Sequence, residues 1–256
     1  MHPLVSLTLQ TLLPFVYLAS AGAALRVARL SSAPYGWQGT GWRLLALAFG
    51  AHGAVLLLHT QFAVAAYAAG IGSSVYATYL TWMPPLNHAR SLLLLGFALA
   101  LMALAVARHP GRRFLVRAGV AMAVGFAAGF AIGVAEAPFR ALTHYAAVAT
   151  WDAVQLVCML AALLACLVRG RLDRLAWLAV WIYTLQLALN VLLVAGLSRA
   201  GVPGEWSPRP WVLHATRLVL ALVMAALVYQ RLRLARRGVV VNPLARPPRT
   251  LDPHPG

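Results

Sequence analysis

The chain has 256 residues, 62% of them hydrophobic and 10% charged, with a formal net charge of +16 and a mean hydropathy of +0.78. A soluble domain carries roughly a quarter charged residues, so these figures exclude a soluble enzyme, a disordered chain and a fibrous protein. All 21 basic residues are arginine, and without lysine there is no retinal Schiff base, no pyridoxal linkage and no lysine-dependent P-loop.

A helix crosses the bilayer core with about 20 mostly apolar residues. Seven such runs follow one another, at 4–25, 43–66, 88–107, 116–137, 145–168, 175–198 and 211–232. The expected fold is all-α, an integral membrane bundle of seven transmembrane helices over residues 1–237. The first run has neither a basic flank nor a small-residue cleavage site before Arg26, so it reads as a retained helix rather than a leader. Residues 67–87 read as an outer loop. Gly70, Gly72, Ser73, Ser74 and the pair Pro84-Pro85 bracket Val75, Tyr76, Tyr79, Leu80 and Trp82, which form a short interfacial helix in this reading. On the fifth span Cys158 and Cys166 stand about 12 Å apart along the axis, too far for a disulfide. Pro243, Pro247, Pro248, Pro253 and Pro255 mark 238–256 as a disordered cytoplasmic tail.

The arginines give the orientation. Sixteen fall after the first, third, fifth and seventh spans, and five (Arg90, Arg140, Arg199, Arg209, Arg217) fall on the other side. The positive-inside rule then puts the N-terminus outside and the C-terminus in the cytoplasm, in the inner (plasma) membrane. The basic clusters are thereby read as topology signals contacting the bilayer, with no nucleic-acid partner.

Polar groups at membrane depth are costly and therefore informative. Gln10, His59, Gln61, His88, Arg90, Glu136, Arg140, His144, Asp152, His214 and Arg217 all fall in the outer halves of their spans, and Tyr183, Gln186 and Asn190 share one face of the sixth. An outward-facing polar cavity accommodates them. Asp152, two turns into an apolar helix, calls for a partner, and Arg217 or Arg140 lies at similar depth; Glu136 and Arg140 form a second candidate pair. His52, near the midplane, shares a helical face with His59, but their axial separation of about 10.5 Å prevents them from binding one metal together.

There is no GxSxG, HExxH, P-loop or dinucleotide fingerprint, so no hydrolase or transferase is indicated. Histidines on facing helices are the usual protein contribution to a b-type haem. His59, His88, His144 and His214 are the candidate axial ligands, with Arg90, Arg140 and Arg217 as propionate partners. A plainer account stands beside each of these: His88, His144 and His214 lie near helix ends, where an imidazole reaches the headgroups, and His52 can be a hydrogen-bonded core histidine.

Three stretches carry a resemblance: Ala51-His52-Gly53, His144-Tyr145 leading into Ala-Ala-Val-Ala-Thr-Trp-Asp, and His214 with Thr216. On them the chain resembles the haem-handling membrane proteins of cytochrome c assembly. The resemblance implies haem b as cofactor, His144 and His214 as outer iron ligands, His52 as a deeper one, and a cytochrome or other membrane subunits as partners. The tryptophan-rich WWD segment that marks the family is missing; the nearest match is Trp151-Asp152. Two other classes remain: a transporter or binding protein whose outward-facing cavity is lined by Glu136, Asp152, Arg140 and Arg217, and a non-catalytic subunit or assembly factor of a larger membrane complex.

Overall fold

Leucine, alanine and valine dominate the apolar runs, and they fold into seven helices: α1 (Pro3–Leu30), α2 (Trp37–Ala69), α3 (Ser74–Val106), α4 (Arg112–Ala135), α5 (Arg140–Val168), α6 (Arg174–Arg199) and α7 (Pro210–Arg236). The computed structural model describes residues 3–31, 36–70, 72–136, 140–199 and 210–238, with side chains over 8–31, 36–70, 72–136, 147–192 and 212–238. Among the described residues there is no strand, and all seven helices are long and apolar enough to cross a membrane. The chain is a multi-pass membrane protein by these spans. Residues 239–256, which hold almost all of the expected tail, lie outside the described residues.

The helices are not packed in simple sequence order. Neighbours in space run α1, α2, α3, α5, α6, α7 and back to α1, a closed ring of six. Helix α4 stands outside this ring, lying along α3 and brushing α2. Helix α3 is consequently the most enclosed span and α4 the least.

The loop expected over 67–87 is a correction. Helix α2 runs to Ala69, the turn is made at Gly70 and Gly72 with φ of 89° and 99°, and α3 begins at once. These left-handed values strain a side-chain-bearing residue, so glycine fits the tight reversal. Ser73 caps α3, its hydroxyl accepting from Tyr76 N at 3.1 Å. The helix then continues through Pro84 and Pro85. Each proline removes one backbone donor, yet the stretch is held from outside: both prolines are buried, and a methyl placed on Gly133 of α4 would lie 2.5 Å from Pro85 Cα. Rings join the two arms of the hairpin, Tyr67 edge-on to Tyr76 and His59 stacked on Tyr79.

The contact of α4 on α3 is made by backbone. Gly125, Gly129 and Gly133 repeat every fourth residue on one face. A methyl built on Gly125 or Gly129 would sit 2.3 Å from the carbonyl oxygen of Leu92 or His88, so only glycine permits this approach.

At the end of the bundle where α2 and α6 begin, Asp173 ties three helices. Its Oδ1 accepts from Ala176 N at 2.9 Å, capping α6. Its Oδ2 accepts from Trp42 Nε1 at 2.6 Å and from Arg231 Nε at 3.1 Å. Beside it the Arg171 guanidinium lies 3.6 Å over the Trp37 ring, and Arg171 Nε donates to Ala105 O.

Candidate functional site: a charged cavity at the centre of the ring

Each helix of the six-membered ring sends a polar or ionisable side chain to its centre. Tyr17 comes from α1, His52 from α2, Arg90 and Ser91 from α3, Asp152 and Gln155 from α5, Tyr183, Gln186 and Asn190 from α6, and Arg217 from α7; all are buried. An aromatic floor lies beneath them: Tyr17 meets His52 at 4.7 Å between ring centroids and Tyr183 at 5.7 Å, with Phe49 and Phe97 packed around Tyr183. The Tyr17 hydroxyl donates to Gln186 Oε1 at 2.5 Å, and the Tyr183 hydroxyl is hydrogen-bonded to His52 Nδ1 at 2.6 Å.

Asp152 is the hub above this floor. Arg90 reaches it at 3.1 Å, Asn190 donates to the same oxygen at 2.6 Å, and the Ser91 hydroxyl donates to the other. Its ion partner among the described residues is thus Arg90, which the sequence reading assigned to a haem propionate, and not Arg217. Arg217 lines the same cavity without an ion-pair partner among the described residues. The cavity, bounded by His52, Arg90, Asp152, Gln155, Leu187, Asn190 and Arg217, measures about 10 Å³, the space of a single water. Among the described residues, three buried polar atoms of its lining have no hydrogen-bond partner: His52 Nε2, Gln155 Nε2 and Arg217 Nε.

The other sequence candidates lie farther toward the rim. His88 Nε2 is 2.8 Å from Glu136 Oε2, so His88 is the partner of Glu136 among the described residues. This contact bridges α3 and the end of α4. Gln10 donates its amide to His214 Nε2 at 2.9 Å, closing α1 on α7. His59 keeps Nε2 unpartnered while its ring stacks on Tyr79. The side chains of Arg140 and His144 lie outside the described residues, as does the whole of Arg209. Cys158 and Cys166 are free thiols.

These positions bear on haem. An axial pair needs two ring nitrogens facing each other across the macrocycle. Nε2 is engaged by Glu136 in His88 and by Gln10 in His214, and among the described residues His52 and His59 carry unpartnered Nε2 atoms on one helix, about 10.5 Å apart along its axis. That pair cannot ligate one iron. Among the described residues no group of three or more His, Cys, Asp or Glu side chains is placed to hold a metal ion. With the side chain of His144 outside the described residues, the described Nε2 atoms alone supply no axial pair.

Sequence reasoning missed Tyr17, Ser91 and Gln155, and placed Arg90 too shallow. A signal for Gln155 was present: it lies three residues after Asp152, on the same helical face. No model of a known protein family matches the chain, and no curated protein is significantly similar to it.

Proposed function

We propose that this protein is a membrane-embedded binding or transport protein whose site is the cavity between Arg90, Asp152, Gln155 and Arg217. One observation carries the reading: two buried guanidinium groups and a single carboxylate, which pairs with only one of them, line a cavity whose lining leaves polar atoms unpartnered. Ionisable groups at membrane depth are retained where they meet a solute, an ion or a proton. The glycine turn between α2 and α3 and the Gln10–His214 and His88–Glu136 contacts lie at the end of the bundle nearest the cavity. The arginine clusters lie at the other end, so the cavity is nearer the outside in an inner (plasma) membrane with the N-terminus outside.

The test is access. In a background carrying Cys158→Ala and Cys166→Ala, Leu187→Cys places a thiol in the cavity lining. Silver ion, which is thiol-reactive, membrane-impermeant and no larger than a water molecule, labels it in chloride-free buffer from the outer face of intact cells and more slowly from the inner face of inverted vesicles, read as protection against later alkylation. Failure to label from either face, while an exposed Tyr67→Cys control reacts, would sink the reading.

A second reading, haem handling in cytochrome assembly, is favoured by one feature. His52 is held through Nδ1 by Tyr183 with Nε2 left without a partner, which is how a ligating imidazole is oriented from behind. The implied outer ligands His144 and His214 are tested by an optical spectrum of protein made under haem-replete expression. A Soret band that His214→Ala or His144→Ala shifts supports this reading; a colourless, iron-free preparation ends it.

A further inference from the structure

Charge at the centre of the ring does not balance. Arg90 and Arg217 bring two guanidinium groups to the cavity, and Asp152 is the one acid in its lining. The Asp152 oxygens are already taken by Arg90, Ser91 and Asn190. Arg217 is 7% exposed, and its Nε has no hydrogen-bond partner. A guanidinium does not shed its proton inside a protein, and a buried charge without compensation is expensive to keep from water. The remaining unfilled valences are of one kind. Gln155 Nε2 and Arg217 Nε are donors. An anion selects the tautomer in which the Tyr183 hydroxyl donates into Nδ1, so that His52 carries its ring proton on Nε2 and becomes a third. His52 and Gln155 are each 1% exposed, so bulk water cannot serve these groups.

Unfilled donors on three residues that line one cavity, one excess positive charge and a space the size of a water describe the surroundings of an anion, not of a cation. We infer that the cavity binds one small monovalent anion of halide size, coordinated by Arg217, Gln155 and His52. The anion restores neutrality around the Arg90–Asp152 pair and fills the three open donor positions. This inference rests on the cavity being the protein's binding site and names the class of ligand it takes. Larger anions are excluded by the space, about 10 Å³.

The test compares thermal unfolding of the full chain in detergent in sodium chloride and in sodium gluconate at equal ionic strength, gluconate being too large to enter. Chloride raises the unfolding midpoint by a few degrees with saturable dependence, because a ligand of the folded state stabilises it by mass action. Bromide does the same. Arg217→Gln abolishes the chloride dependence and, having removed the uncompensated charge, unfolds in gluconate no lower than the wild type does. Gln155→Leu keeps every charge and raises the half-saturating chloride concentration about ten-fold, the effect of one lost hydrogen bond to a charged group. Equal wild-type midpoints in the two salts overturn the inference, and so does a chloride effect that persists in Arg217→Gln. Should Arg217→Gln not fold, an unchanged half-saturating concentration in Gln155→Leu overturns it. Thiol labelling at position 187 separates the two proposals: chloride stabilisation without labelling leaves a structural anion and ends the transport reading, and labelling without a chloride effect does the reverse.

Discussion

Asp152 and Arg90 illustrate how a buried pair resists removal of either member. The carboxylate accepts from Arg90, Asn190 and Ser91, so Asp152→Asn takes the counter-charge away while every donor stays in place. Breaking one side of a buried ion pair costs about 3–5 kcal/mol, whereas replacing both members by apolar groups of similar volume is often nearly neutral. Asp152→Asn is therefore expected to unfold much earlier than the wild type in a denaturing-detergent titration, and Arg90→Met with Asp152→Leu to recover most of the loss. A double variant as unstable as the sum of its single changes would show that the pair does not act as a unit. That Asp152 needs a buried partner was legible from its depth in an apolar run. Its partner was not, because a third span starting at residue 88 puts Arg90 at a helix mouth. With α3 starting at Ser74, Arg90 lies about 24 Å along the axis, at the depth of Asp152.

That displaced boundary belongs to the element scale. Seven apolar stretches were readable because bilayer thickness sets their length. The join between α2 and α3 was misread because Pro84-Pro85 was weighed by the donors it removes, not by the neighbour it meets. The neighbour is α4, whose glycine face admits α3 to backbone contact. This contact carries its own prediction. Gly129→Ala forces a methyl against the His88 carbonyl and should cost about 1–3 kcal/mol, as overpacking does. Gly22→Ala meets nothing within 4 Å and should gain up to about 1 kcal/mol from helix propensity. Both are read from midpoints of detergent unfolding, and equal effects would mean that propensity, not approach, decides. Since Gly129 lies against His88, its substitution should also loosen the His88–Glu136 contact at the rim. The every-fourth glycine pattern was visible in the sequence; what it faced was not, because α4 packs on α3 alone among its close neighbours.

For the whole molecule, the arginine distribution predicts that a fluorescent protein fused after Gly256 glows in intact cells, and that a phosphatase active only outside the cytoplasm stays silent there. An active phosphatase fusion would invert the assigned orientation. The polar centre was legible as a set, since the outer-half residues do include Asp152, Arg217 and the face of Tyr183, Gln186 and Asn190. Its closure was not, because the ring order that skips α4 is a tertiary property with no local pattern. That ring also has a consequence for biogenesis. A chain emerging N-terminus first delivers Arg90 on α3 two helices before Asp152 on α5, and Arg217 arrives only with α7. Hairpins α1–α2 and α3–α4 can associate as soon as they are made, but Arg90 must wait near the membrane without a counter-charge until α5 joins it. Chains stopped between α4 and α5 should consequently be the least persistent intermediates of synthesis and the first to be degraded, while chains stopped after α6 already hold the neutralised pair.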